Sequence, residues 1–248
     1  MVIALLAGMF VAFTTSLGSM LALFAKKMPS WGIDLSLSFA AGVMLVASFT
    51  SLILPAIEIS QSFLPTAIGI FLGILLMYFV ETFIPHEHLI KGYEGPKEFK
   101  DRMKTAWLLV LAMIIHNFPE GLAIGTALNF EIKTGLVTTL AIGIQDLPEG
   151  LVVSLPLATL QKKRFEPILL GVLSGLVELI AVLLGAYFFK NFAYLLIYGL
   201  GLAGGAMLFV TIKEVIPEIY KHEKNELLVT FGFFLGFYTM LFLDSIKF

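Results

Sequence analysis

Cysteine is absent from all 248 residues, which removes disulfide frameworks and thiolate metal sites together. A metal held by this chain must be ligated by His, Met, carboxylate or amide groups. Charge is scarce too: only 14% of residues are Asp, Glu, Lys or Arg, and the formal net charge is −2. A balance so near zero, with Lys and Arg in short loop clusters, argues against a nucleic-acid partner. What fills the chain instead is apolar. A hydrophobic share of 58% and a mean hydropathy of +0.95 point to a membrane protein in contact with a lipid bilayer. Spanning a hydrocarbon core about 30 Å thick takes roughly 20 apolar residues of helix, and continuous runs of that kind recur, without the alternation of a barrel strand. The opening "MVIALLAGMFVAFTTSLGSMLALFA" lacks a positive leader region and outruns a signal peptide's apolar stretch, so it is expected to be a retained helix.

Hydropathy and loop punctuation predict eight spans, at 2–25, 34–58, 64–84, 106–128, 134–159, 166–189, 193–216 and 227–246. The connections are short except at 85–105, so residues 1–248 are expected to form a single transmembrane domain. Of the 16 Lys and Arg residues, all but Lys133, Lys190 and Lys247 cluster at the ends of spans one, three, five and seven. The positive-inside rule puts those ends in the cytosol and both termini outside. The fourth span then runs outward and the fifth inward, so "HNFPEG" at 116–121 and "QDLPEG" at 145–150 are antiparallel copies meeting near the midplane. A second echo relates "AGVMLVASFTSLILPAIE" in span two to "GGAMLFVTIKEVIPEIY" in span seven. Inverted repeats around a midplane site of broken helices mark transporters. The expected fold is therefore an all-α polytopic membrane protein of eight transmembrane helices in a 3+2+3 inverted-repeat organisation.

Ionisable side chains at the bilayer centre cost at least about 2.5 kcal/mol each on insertion scales. Glu120, Asp146, Glu149 and Glu178 all fall near the middle of their spans, with His116, Asn117 and Gln145 beside them. They are expected to converge inside the bundle. His116 with Glu120, and Gln145 with Glu149, are i and i+4 pairs on one helix face; Asn117 with Glu120, and Asp146 with Glu149, are i and i+3 pairs on its edge. Two bridging glutamates, walled by His and Gln on one side and by Asn and Asp on the other, describe two adjacent divalent-cation positions. Pro119 and Pro148 each remove a helix hydrogen bond and free the carbonyls of Ile115 and Ile144, which predicts kinks beside the cation path. His116 and Glu120 on one face also allow an intramembrane zinc hydrolase. That chemistry wants an open water position and a separate general base, and no HExxH occurs. A third reading, a proton-coupled carrier of an organic solute, finds no midplane Arg or Lys to hold a carboxylate or phosphate.

These motifs taken together resemble the ZIP (Zrt/Irt-like) divalent metal transporters, and are most similar to the GufA-type prokaryotic branch. "HNFPEG", "QDLPEG", "SGLVEL" and "KEVIPE" carry the resemblance, which extends over essentially the whole chain. It implies a binuclear centre. One metal would take His116, Glu120, Gln145 and Glu149, with Met44 as a soft ligand; the other would take Asn117, Glu120, Asp146, Glu149 and Glu178. It also implies a multi-pass protein of a prokaryotic plasma membrane, usually a homodimer, that moves zinc toward the cytosol as cargo rather than as a cofactor. Cadmium, iron, manganese and cobalt are the other candidate ions. Gln145 stands where many members have His, which weakens a strict zinc preference. Glu58 and Asp244, toward the outer ends of spans two and eight, would form an electronegative mouth. On the inner side His86 and His88 of "PHEHLI", with Glu214, would form a cytosolic metal site.

Overall fold

The computed structural model describes residues 1–24, 30–88, 92–94, 105–159, 165–220 and 226–245. Eight helices are found among them. Helix α1 is Val2–Leu21, and α2 runs through Ser30–Ala47, a π-helical turn at Ser48–Ile53, and Leu54–Ser60. Helix α3 is Phe63–Phe83, α4 is Thr105–Phe130, α5 is Ile132–Thr159 and α6 is Phe165–Asn191. Helix α7 comprises Leu196–Val210, a second π-helical turn at Thr211–Val215, and Ile216–Ile219, and α8 is Glu226–Ser245. Among the described residues, six segments, in α1, α2, α3, α6, α7 and α8, are long and apolar enough to cross a membrane. The chain is thus a polytopic helical membrane protein. One element departs from the all-α expectation: β1, His86–His88, pairs antiparallel with β2, Gly92–Glu94, in a small hairpin between α3 and α4.

The helices pack in two groups of four. In one, α1, α4, α5 and α6 lie against one another; in the other, α3 packs on α7 and α2 on α8. Contacts of α2 with α5, and of α4 with α7, join the groups. Lipid is as apolar as leucine, so such helices associate through close backbone approach at small residues rather than by hydrophobic burial. A Cβ added at Gly73 would lie on the Leu202 carbonyl and 2.8 Å from the Ala206 nitrogen, and one at Gly236 would lie on the Phe39 carbonyl.

The glycine contacts come in matched pairs. Gly8 against Leu179 is matched by Gly171 against Ser16; Gly42 against Phe233 by Gly205 against Ile70; Gly73 against Leu202 by Gly236 against Phe39. In every match the counterpart number differs by 163, the separation between Thr15 and Glu178. The buried face of α3, with Gly69, Gly73, Met77 and Glu81, has its counterparts at Gly232, Gly236, Met240 and Asp244.

Both motif helices run as continuous α-helix through their prolines. The irregular hydrogen bonding lies instead in α2 and α7. There the last amide before each proline, Leu54 before Pro55 and Ile216 before Pro217, bonds the carbonyl five residues back. Ser48 and Thr211, which open the two π turns, donate their hydroxyls to the carbonyls of Met44 at 2.7 Å and Met207 at 2.8 Å. A π turn holds one residue more than an α turn. It lets each proline sit in a continuing helix with the amide that proline lacks displaced to its neighbour.

Candidate metal centre

Asn117 and Glu120 on α4, Gln145 and Asp146 on α5, and Glu178 on α6 are each no more than 1% exposed. One ligating oxygen from each of Glu120, Asp146 and Glu178 lies within 4.8 Å of the others. Ionised carboxylates at that separation repel strongly in a low-dielectric interior, and a bound cation would reverse the sign.

Neutral groups orient these carboxylates. The Gln145 amide donates to Glu120 Oε1. Glu178 Oε2 accepts from Asn117 Nδ2 at 3.3 Å and from Thr15 Oγ1 at 3.1 Å. Asp146 Oδ2 accepts from Thr14 Oγ1 at 3.2 Å. With their nitrogens turned to the carboxylates, the two amides bury their oxygens, Asn117 Oδ1 and Gln145 Oε1, without a hydrogen-bond partner among the described residues. An unmet buried acceptor costs about 1–3 kcal/mol. A divalent cation with oxygen ligands meets amide and carboxylate oxygens at once.

Helix α1 was not among the expected contributors. Its polar run "TTSLGS" at 14–19 is the signal that marks it in an otherwise apolar span. The final glycine of each PEG motif brings a partner helix close: Gly121 lies against the Glu178 backbone on α6, and Gly150 against Thr15 on α1. Gly18 in turn lies against the Asp146 and Leu147 carbonyls.

Other expected ligands fall elsewhere. Met44 is buried in the apolar core of α2, the helix that packs on α5. The side chains of His116 on α4 and Glu149 on α5 lie outside the described residues, as do those of His86, His88 and Glu214. In the hairpin backbone His86 is opposite Glu94, and His88 is opposite Gly92. Glu58 is exposed and lines a cleft of about 520 Å³ with Thr50, Leu54, Pro55, Phe130, Glu131 and Thr134. Asp244, half-buried, stands near Thr50, which lines that cleft with Glu58. Glu131 is a third carboxylate there; it accepts from Thr134 Oγ1 at 2.9 Å at the start of α5. An ion pair unforeseen from sequence joins buried Glu81 of α3 to Lys213 in the π turn of α7, whose ammonium also sits 5.2 Å from the Phe209 ring centroid.

Comparison with known proteins identifies the family of the chain. Residues 86–244 match the family described as ZIP Zinc transporter. The chain is 39% identical to the zinc transporter ZIPB of Bordetella bronchiseptica, over 93% of this chain and 77% of the relative. It is 37% identical to the zinc transporter GufA of Myxococcus xanthus, over 78% and 79% respectively. Identity to the zinc transporter ZIP11 of Homo sapiens is 30%, over 86% and 87%. A match across most of the chain, with relatives this similar along most of their own length, places the protein in the ZIP zinc transporter family.

Proposed function

We propose that the chain carries zinc or a related divalent cation across a prokaryotic plasma membrane toward the cytosol, through a metal centre enclosed by α1, α4, α5 and α6. The observation that carries this reading is the buried oxygen cluster: three carboxylates within 4.8 Å, beside two amide oxygens that lack donors. Two metal positions are proposed, bridged by Glu120 and Glu149. One has His116 and Gln145, with Met44 approaching from α2; the other has Asn117, Asp146 and Glu178. The Gln145 contact with Glu120 supports the first wall, and the Asn117 contact with Glu178 supports the second. The cleft at Glu58 and Asp244 is proposed as the outer mouth, and His86, His88 and Glu214 as ligands on the cytosolic side. The hydrolase reading is set aside, because the family is one of transporters.

Uptake of zinc, cadmium, iron, manganese and cobalt into proteoliposomes, with and without a pH gradient, tests the proposal. Saturable zinc uptake is expected for the native chain and a large loss for Asp146→Ala. Native rates no higher than those of empty vesicles, for every ion, would sink it.

The same reading takes residues 1–248 as one domain of eight spans in which α1–α3 and α6–α8 are inverted copies and α4 and α5 a second inverted pair, with both termini outside and a homodimeric assembly. The glycine contacts matched at a separation of 163 support the inverted repeat. So does the shared device of a methionine, a hydroxyl back-bond and a π turn before proline in α2 and α7. A chain without cysteine lends itself to a sidedness test. Single cysteines at Ser62 and Phe192, between helices, are expected to react with an impermeant maleimide from outside, and one at Lys162 only after permeabilisation. The opposite pattern would invert the orientation.

A further inference from the structure

We propose that Thr14 and Thr15 of α1 are positioning residues of the metal centre. Their hydroxyls hold the Asp146 and Glu178 carboxylates in ligating orientation while the site is empty, and turn back onto their own helix when metal enters. This rests on the reading of the oxygen cluster as the metal centre.

A threonine hydroxyl has one proton and two lone pairs, and it rotates to suit its surroundings. Within a helix that proton ordinarily goes to the carbonyl one turn back. Thr126, Thr211 and Ser48 follow this rule, donating to Leu122, Met207 and Met44. Thr14 and Thr15 have a second choice. Thr15 Oγ1 lies 2.9 Å from the Val11 carbonyl and 3.1 Å from Glu178 Oε2. Thr14 Oγ1 lies 2.9 Å from the Val11 carbonyl and 3.2 Å from Asp146 Oδ2. One proton cannot serve both acceptors, so each hydroxyl has two settings: donor to a carboxylate on a neighbouring helix, or donor to its own backbone.

The first setting suits the empty site. Hydrogen bonds to ionised groups are stronger than neutral ones, and Glu178 Oε2, gripped by Thr15 from α1 and Asn117 from α4, has its carboxylate plane fixed from two sides. The second setting suits the loaded site, because a hydroxyl that donates to Val11 presents a lone pair toward the centre. A lysine in the same place would hold the carboxylates with a permanent charge and compete with the cargo. A neutral donor with a fallback partner orients them and yields. The reach of both threonines depends on the backbone contacts at Gly18 and Gly150, which seat α1 against α5 at this level. By the spacing of 163, Thr15 is also the counterpart of Glu178 itself: the repeat that supplies a charge from α6 supplies a neutral hydroxyl from α1.

The test is equilibrium zinc binding to the purified full-length chain in detergent, alongside zinc uptake in proteoliposomes, for Thr14→Val, Thr15→Val, Thr14→Ser, Thr15→Ser and Glu120→Gln. Valine keeps the branched shape and removes the proton. Because the bond to the carboxylate is made only in the empty site, its loss destabilises that state alone, so each valine variant is expected to bind zinc about tenfold more tightly and lower KM, the scale of one charge-assisted hydrogen bond, with the maximal rate falling as release slows. The serine variants are expected to restore native binding. Native binding and KM in both valine variants would overturn the proposal, as would serine variants that behave like valine. If Glu120→Gln also binds zinc normally, the metal-centre reading fails with it. If Glu120→Gln loses binding while the valine variants bind zinc as the native chain does, or more weakly, the threonine inference alone fails. Should Thr15→Val fail to fold, the Thr14 pair decides the question on the Asp146 side.

Discussion

Zinc uptake by a Glu120→Gln chain is expected to fall to the rate of empty vesicles while the protein remains folded. Glutamine keeps the volume of the side chain and a carbonyl oxygen that can still accept from the Gln145 amide, so the hydrogen bond to α5 survives. What disappears is one of three charges within 4.8 Å. Without metal, losing that charge relieves repulsion, and the apo protein should melt at the native temperature or above it, as happens when a strained functional group is neutralised. With metal the order reverses. Ligand at a hundred times its Kd stabilises a binding-competent chain by about 2.7 kcal/mol. That zinc-dependent rise in thermal midpoint should be present in the native protein and lost in the variant. Uptake and a zinc shift both at native levels would remove Glu120 from the site.

Gly150→Ala is expected to lower both the thermal midpoint and zinc uptake several-fold more than Gly143→Ala, although both residues are buried on the same helix. A carbon added at Gly150 would lie 2.7 Å from the Thr15 carbonyl and 3.2 Å from the Ser19 amide nitrogen, all backbone. The Ser19 hydroxyl also donates to the Gly150 carbonyl at 3.3 Å. Relief requires α1 to move off α5, which takes Thr14 and Thr15 away from Asp146 and Glu178. At Gly143 the nearest atoms the added carbon would meet belong to the ring of Phe10, a side chain 38% exposed and able to turn aside. Overpacking against fixed backbone costs typically about 1–3 kcal/mol. Equal melting and uptake for the two variants would show that the α1–α5 contact does not set the geometry of the site.

The helices were legible because apolar runs of membrane length are hard to mistake, and the observed ends fall within a few residues of the expected spans for most of them. Glu120, Asp146 and Glu178 were legible because burying charge is costly and little else excuses it. Thr14 and Thr15 were not, since a membrane threonine usually bonds its own helix and both keep the Val11 carbonyl within hydrogen-bond distance. Pro119 and Pro148 were read as sites of kinking, and Pro55 drew no such reading. In the fold, α-helical pattern persists through Pro119 and gives way to a π turn before Pro55. Which proline receives the extra residue depends on tertiary packing that local pattern does not encode. Lys213 was counted with the cytosolic positive charges, and only the packing of α3 on α7 reveals that it reaches Glu81. The spacing of 163 was equally hidden, because the residues it relates are mostly glycines whose partners lie on other helices.

The π turn of α2 also acts as a phase shifter. Each residue of an α-helix advances about 100° around the axis, so one inserted residue leaves the two halves of α2 out of phase by that angle. Met44 lies before the turn and faces the core; Glu58 lies after it and faces the cleft beside Thr134 of α5. Deleting a single residue between Ser48 and Ile53 would bring the halves back into phase, leaving Met44 in place while swinging Glu58 out of the cleft. The helix thereby addresses two faces of the protein along one continuous rod, and the angle between them is written in its residue count.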